Sequence, residues 1–134
     1  MQQHSGHVGL WLPVVIYCVA IFALSSFEQP PKPQFLPDKW GHLILFAGLG
    51  FIFARFVAVI RRVTFIQLVI ITVLFCLIYA ITDEGHQYFV PGRTSEIGDL
   101  IADAIGGLLG ALLYGLISSR RCRSAQIRSE REKI

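Results

Sequence analysis

Four apolar runs, each about as long as a membrane-spanning helix, constrain the fold of this chain more than any other feature. They lie at residues 8–27, 40–60, 64–81 and 97–117. A helix of about 20 apolar residues rises about 30 Å, the thickness of the hydrocarbon core of a bilayer. Only 16% of the residues are charged, against about 25% in soluble domains. We therefore predict an all-α polytopic membrane protein: a four-helix bundle in one domain, residues 1–118, followed by a basic tail, residues 119–134.

The segments between the runs predict how the helices connect. No Lys or Arg precedes the first run, so we interpret it as a retained span and not as a cleaved signal peptide. Residues 28–39 contain four prolines, which exclude a regular helix there. Only a short turn after Arg61 and Arg62 separates the second and third runs, so these two should form an antiparallel hairpin. A longer loop, residues 83–96, joins the third run to the fourth.

The charged residues predict an orientation in the membrane. The last 15 residues hold six basic and two acidic residues. Arg61 and Arg62 fall on the same side of the membrane as this tail if there are four spans, and all seven acids outside the tail fall on the opposite side. The positive-inside rule then places both termini in the cytoplasm. We expect the tail to contact membrane lipids and not nucleic acid, because the aromatic residues lie in the apolar runs and not among the arginines.

Motifs for cofactor chemistry are absent from the sequence. Cys18, Cys76 and Cys122 are odd in number and far apart, so they indicate neither a disulfide framework nor a thiolate metal site. The chain has no G-x-S-x-G, H-E-x-x-H or P-loop motif, which are signatures of common hydrolase, metalloprotease and nucleotide sites. We predict no cofactor.

One face of the fourth run combines acidic and small residues. Asp99 and Asp103 are followed at helical spacing by Gly106, Gly107 and Gly110. Glycines at this spacing allow membrane helices to pack closely. Asp103 would lie about 9 Å along the fourth span from its start, which is too deep in the membrane for its short side chain to reach water. It must pair, take up a proton or face a wet cavity, and the candidate partners are Lys39, His42 and Arg93.

Further polar residues lie at the same predicted end of the bundle. Asp38 and His42 are four residues apart, as are Asp83 and Gln87 if the third helix continues past residue 81. The full predicted polar cluster is Asp38, Lys39, His42, Asp83, Glu84, Gln87, Arg93, Asp99 and Asp103.

Carboxylates with His42 could bind a hard divalent cation, but the spacing matches no known ligand pattern, so we predict no metal site. His86 is predicted to be solvated in an exposed loop.

Three motifs in this order resemble the VanZ-like family of small bacterial membrane proteins. The sequence reads P-D-K-W-G-H at the second span, T-D-E-G-H-Q after the third, and R-T-S-E-I-G-D-L-I-A-D-A-I-G-G into the fourth. The family pattern is D-K-x-x-H, then D-E-x-x-Q, then R and D-x-x-x-N or D before glycines. The resemblance covers about residues 24–118 and includes every member of the predicted cluster. Asp103 departs from it, because Asn is the commoner family residue there.

The resemblance implies a multi-pass protein of the bacterial cytoplasmic membrane, in a family whose founding member is linked to resistance to the glycopeptide teicoplanin. Three hypotheses remain open for the polar cluster. It could bind an envelope lipid or its phosphorylated headgroup through Lys39, His42 and Arg93. It could be the site of a membrane-embedded enzyme that acts on a lipid or cell-wall precursor, with paired carboxylates and His42 moving protons. It could instead be a structural ion-pair latch.

Overall fold

The structure, a computed structural model, describes residues 4–27, 38–93 and 96–131, and the side chains of residues 9–27, 39–93 and 96–120. Four helices follow one another: α1 (His4–Ser25), α2 (Asp38–Ile60), α3 (Phe65–Gln87) and α4 (Ile97–Arg131). None of these described residues belongs to a strand. For this part of the chain, the predicted all-α class is confirmed.

Among the residues whose side chains are described, three helices contain stretches long and apolar enough to cross a membrane: Lys39–Ile60, Phe65–Gln87 and Ile97–Arg120. Within the same residues, the apolar stretch of α1, Gly9–Ser25, is shorter. Large apolar side chains such as Ile16, Ile66 and Ile78 are exposed on the outside of the bundle. An apolar surface of this extent is unfavourable in water and suits contact with lipid chains. The architecture is therefore that of a membrane helical bundle.

Two helices are longer than the apolar runs predicted. α3 continues to Gln87, so the loop predicted from residue 83 begins after the polar residues and not before them. Its last turns stay helical because Asp83, Glu84 and Gln87 are buried against the bundle. α4 continues through the basic tail to Arg131, where no Pro or Gly interrupts the sequence after residue 115.

The predicted hairpin of the second and third spans is present, and a capping box closes its turn. The backbone N–H of Gln67 donates to Oγ1 of Thr64 at 3.3 Å, and the Thr64 N–H donates to Oε1 of Gln67 at 2.9 Å. These bonds satisfy donors that a helix start leaves without partners. We call this end of the bundle, with Arg61 and Arg62, the basic end. The acidic end is the opposite one, where α2 and α4 begin and where α1 and α3 finish.

Glycines bring α4 against the main chain of α2. A Cβ added at Gly106 would meet the carbonyl oxygen of Leu43, and one added at Gly110 would meet the carbonyl oxygen of Ala47. Gly107 lies against the side chain of Cys76 on α3, 2.7 Å from the position of an added Cβ. The three glycines predicted to pack thus lie where helices meet, Gly106 and Gly110 against backbone and Gly107 against a side chain, as small residues do in membrane bundles.

The apolar interior has two parts, one nearer each end. Ile21, Phe46, Leu49, Cys76 and Ala80 form the first, and Ala54, Val57, Leu68 and Ala111 the second. Cys18 and Cys76 are free thiols. The first group lies about one helical turn from the polar residues of the acidic end: Ile21 is four residues before Ser25, and Phe46 is four residues after His42.

We predict that Gly110→Ala destabilises the bundle by about 1–3 kcal/mol, because the new methyl group overpacks the contact with α2. Gly41→Ala is the matched control, since nothing lies within 4 Å of a Cβ added there. The control should be neutral or more stable, because Ala favours a helix over Gly by about 0.5–1 kcal/mol. Thermal unfolding in detergent measures both, and equal melting temperatures would contradict the close-packed contact.

Candidate functional site

A buried hydrogen-bonded group joins the last turns of α1 and α3. The Ser25 hydroxyl donates to Oδ2 of Asp83 at 2.8 Å, and Nε2 of Gln87 donates to the same oxygen, also at 2.8 Å. Nε2 of Gln87 lies 3.4 Å from the Ser25 hydroxyl. Asp83 and Gln87 face the same way because they are one helical turn apart. The group connects α1 to α3 through side chains that are all buried.

The end of α1 supplies partners that the sequence did not predict. Ser25 was not among the predicted site residues. The sequence feature that could have pointed to it is its position at the end of the first apolar run. The prediction for His86 is wrong: it lies in the last turn of α3, where its Nε2 is 3.0 Å from the hydroxyl of Ser26. Its ring centroid is 4.2 Å from that of Phe22. The physical reason is that α3 does not end at residue 81, so His86 faces α1.

A second polar group lies between α2, α3 and α4. Nδ1 of His42 is 3.1 Å from Oδ1 of Asp103, and the side chain of Asp103 is fully buried while that of His42 is 12% exposed. One ligand atom from each of His42, Glu84 and Asp103 lies within 4.8 Å of the other two. Of the three candidate partners for Asp103, the structure therefore places His42 beside it.

Two more carboxylates surround this group. Asp99 is buried one turn before Asp103, and both Asp99 and Glu84 are near enough to interact electrostatically with His42. Asp83 is near enough to Asp103 for the two carboxylates to repel each other. We call His42, Asp83, Glu84, Asp99 and Asp103 the inner cluster. Three buried carboxylates thus lie around one imidazole, with Asp83 next to one of them, in a region where charge is poorly solvated.

The remaining predicted residues lie at the edge of the inner cluster or outside it. Lys39 pairs with Glu96 at 3.5 Å, and more than half of each side chain is exposed, so Lys39 does not pair with Asp103. Arg93 follows α3 and is partly buried, and its Nε has no hydrogen-bond partner among the described residues. The side chain of Asp38, which was predicted to join His42, lies outside the described residues.

This arrangement can bind a cation or hold protons. Carboxylates and a neutral imidazole are ligands for divalent metal ions. A buried carboxylate next to an imidazole is also a common arrangement for proton transfer. The inner cluster itself does not favour an anion, because four carboxylates would repel it. An anionic ligand would have to contact the cationic residues at the edge, Lys39 and Arg93.

Comparison with known proteins identifies a family. The family model described as VanZ/LLP1 matches residues 10–118, which is most of the chain and includes both polar groups. No curated protein and no solved structure matches the chain. The motifs that carry the resemblance are those that line the acidic end: D-K-W-G-H begins α2, D-E-G-H-Q ends α3, and the two aspartates lie at the start of α4.

We predict that Ser25→Ala lowers the free energy of unfolding by about 1–2 kcal/mol, because it removes a buried hydrogen bond to a carboxylate. Ser26→Ala is the control: its hydroxyl is exposed, bonds to the Phe22 carbonyl of its own helix at 2.8 Å and lies 3.0 Å from Nε2 of His86, so it has no buried carboxylate partner and its loss should cost less. Thermal unfolding of the two variants in detergent compares them. An equal effect at both serines would contradict a special role for the Ser25–Asp83–Gln87 group.

Proposed function

The chain belongs to the VanZ-like family, and from this premise we propose that it binds an envelope lipid by an anionic, phosphorylated headgroup at the acidic end of the bundle. The observation that carries the proposal is a groove at this end that is apolar along its length and has a lysine at its rim. Such a groove matches an amphipathic ligand with a negative headgroup and a hydrocarbon chain.

The groove runs between α2 and α4 on the outside of the bundle. It has a volume of about 240 Å³ and is lined by Lys39, Trp40, Leu43, Gly98, Ile101, Ala102 and Ile105. Trp40 is exposed at the first turn of α2, where an indole ring is suited to the interface between headgroups and chains. The apolar side chains lie farther along both helices. A lipid chain along them would place its headgroup beside Lys39.

Lys39 is available to a headgroup because its present pair is weak. Its ammonium lies 3.5 Å from Glu96, and both side chains are largely exposed. Exposed pairs of this kind contribute about 0–1 kcal/mol, so a phosphate could replace Glu96 at small cost. Arg93, with a guanidinium suited to two hydrogen bonds with a phosphate, is the second cationic contact that we propose. His42 is engaged by Asp103 and is mostly buried, so it is a weaker candidate than the sequence suggested.

The proposed membrane is the bacterial cytoplasmic membrane, with the acidic end on the extracytoplasmic side. Arg61, Arg62 and the basic tail support this orientation through the positive-inside rule. A lipid held on the outer side would be an envelope lipid or a lipid-linked cell-wall precursor. An effect on teicoplanin susceptibility is the physiological consequence that the family resemblance supports.

Catalysis is the second candidate, and the contact between His42 and Asp103 favours it. A carboxylate 3.1 Å from Nδ1 orients an imidazole and leaves Nε2 to accept or donate a proton, as in other sites where an acid orients a base. An enzyme of this kind would modify the lipid and not only retain it. Mass analysis of the retained lipid separates the two functions, because hydrolysis or group transfer would give a product that differs in mass from the lipid supplied.

The orientation is tested by cysteine labelling. In a variant without its native cysteines, Pro91→Cys should react with a membrane-impermeant maleimide in intact cells, because residue 91 is exposed after α3. Arg62→Cys, at the basic end, should react only after the membrane is opened. The reverse pattern would place the acidic end in the cytoplasm and contradict binding of an extracytoplasmic lipid.

Lipid binding is tested by native mass spectrometry of the protein purified in mild detergent. We expect Lys39→Gln to weaken lipid affinity about fivefold and so to lower the lipid-bound fraction, since one basic residue near a lipid headgroup contributes ~1 kcal/mol. Arg93→Gln should reduce it as well. Arg62→Gln is the matched control, because it removes one positive charge at the opposite end.

Two results would overturn this proposal. Loss of lipid in Arg62→Gln but not in Lys39→Gln would place the lipid at the basic end. Lower thermal stability of Arg93→Gln, with unchanged lipid, would favour the ion-pair latch. A folded Arg93→Gln variant that loses lipid excludes the latch as the main role of that residue.

A further inference from the structure

The inner cluster brings together three residues with metal-binding atoms, one from each of three helices. His42 comes from α2, Glu84 from α3 and Asp103 from α4, and their ligand atoms all lie within 4.8 Å of one another. Ligand atoms that share a divalent ion at 2.0–2.4 Å lie no more than about 4–5 Å apart. The three side chains therefore already have the spacing of a shared ion.

The buried oxygens of the inner cluster point independently to a ligand. Asp83, Asp99 and Asp103 are each more than nine-tenths buried, with relative exposures of 3%, 7% and 0%. Each has one carboxylate oxygen without a hydrogen-bond partner among the described residues: Oδ1 of Asp83, Oδ1 of Asp99 and Oδ2 of Asp103. Buried polar atoms are nearly always paired. A cation bound among these three neighbouring carboxylates would give each of the remaining oxygens a partner.

We propose that His42, Glu84 and Asp103 bind a divalent cation, with Asp99 and Asp83 as further carboxylates around it. The ligand set mixes one nitrogen with oxygens. It favours an ion that accepts both, such as Zn²⁺ or Mn²⁺, over Mg²⁺ and Ca²⁺, which prefer oxygen alone. The support for this site is the spacing of its ligand atoms and the buried oxygens that lack a partner among the described residues, so it does not depend on the lipid proposal.

The distance between His42 and Asp103 also fits a shared ion. Nδ1 and Oδ1 are 3.1 Å apart. Two atoms at this separation subtend an angle of roughly 90–100° at an ion about 2.1 Å from both, which is close to the angle between neighbouring ligands in common metal geometries. The His42 side chain is 12% exposed, so this ligand is not fully closed off from the surroundings of the bundle.

The experiment is isothermal titration calorimetry of the full chain in detergent, stripped of metal with a chelator and carrying a purification tag without histidines. Zn²⁺, Mn²⁺ and Mg²⁺ are titrated separately. We expect about one equivalent of Zn²⁺ and of Mn²⁺ to bind, with Zn²⁺ the tighter of the two and Mg²⁺ the weakest. Bound Zn²⁺ should also raise the temperature of unfolding, because it binds only the folded chain.

Variants assign the binding to the proposed residues. Asp103→Asn, Glu84→Gln and His42→Gln should each weaken Zn²⁺ binding about 100-fold or more, since even loss of an outer hydrogen-bond partner of a ligand costs 10–100-fold. Glu96→Gln is the matched control: it removes an acid at the same end that is exposed and paired with Lys39, so it should bind as the wild type does. If one ligand variant does not fold, the other two provide the test.

Three results of the titrations would contradict the proposal. Wild-type protein that binds neither Zn²⁺ nor Mn²⁺ would overturn the proposal and indicate that protons neutralise the buried acids. Equal affinity in the ligand variants and in Glu96→Gln would assign the metal to other residues and would also overturn it. Binding that is tightest for Mg²⁺ would contradict the mixed nitrogen and oxygen ligand set.

Discussion

The contact between the main chains of α2 and α4 determines the geometry of the acidic end. Gly106 and Gly110 leave no room for a side chain against Leu43 and Ala47, so the two helices touch at backbone distance. Asp103 lies one turn before Gly106, and His42 lies one residue before Leu43. Because the helices are so close, these two short side chains meet at 3.1 Å. A bulkier residue at Gly106 or Gly110 would push α2 and α4 apart, which would loosen the bundle and separate the His42 imidazole from the Asp103 carboxylate.

The acids of the inner cluster lie where water can solvate them least. Asp83, Glu84, Asp99 and Asp103 are all buried below the mouth of an apolar bundle. Buried charges often cost more in lost solvation than their pairing returns, and apolar replacements can be more stable. If these helices only had to span the membrane, apolar residues at these four positions would therefore be more favourable than acids. Their presence is explained if the acids bind a cation or exchange protons.

Periodicity in the sequence predicted which helix faces are polar but not which faces meet. The class of the fold, the hairpin of α2 and α3 and the shared face of Asp99 and Asp103 all follow from local spacing. Three cationic partners for Asp103 remained open, because helix order in a bundle depends on packing between distant residues. His42 is the neighbour that packing provides. Lys39, three residues earlier, points outward to Glu96.

The end of α3 was misplaced for a related reason. Hydropathy falls at Thr82, Asp83 and Glu84, so an apolar run ends there, but the helix continues to Gln87 because its polar side chains have buried partners. One of these partners is Ser25 of α1, which lies 58 residues earlier than Asp83. The same extension turns His86 toward Phe22 and Ser26. Long-range hydrogen bonds of this kind are not visible in the spacing of a single segment.

The acidic end presents two neighbouring regions of opposite charge, and their proximity links the two proposals. Lys39 faces the groove between α2 and α4, and His42, less than one turn later, faces the buried acids. An anionic headgroup beside Lys39 would feel the negative field of the inner cluster through a poorly screening interior. A divalent cation in that cluster would reduce this repulsion. By linkage, the ion would then strengthen headgroup binding by the same factor by which the headgroup strengthens ion binding.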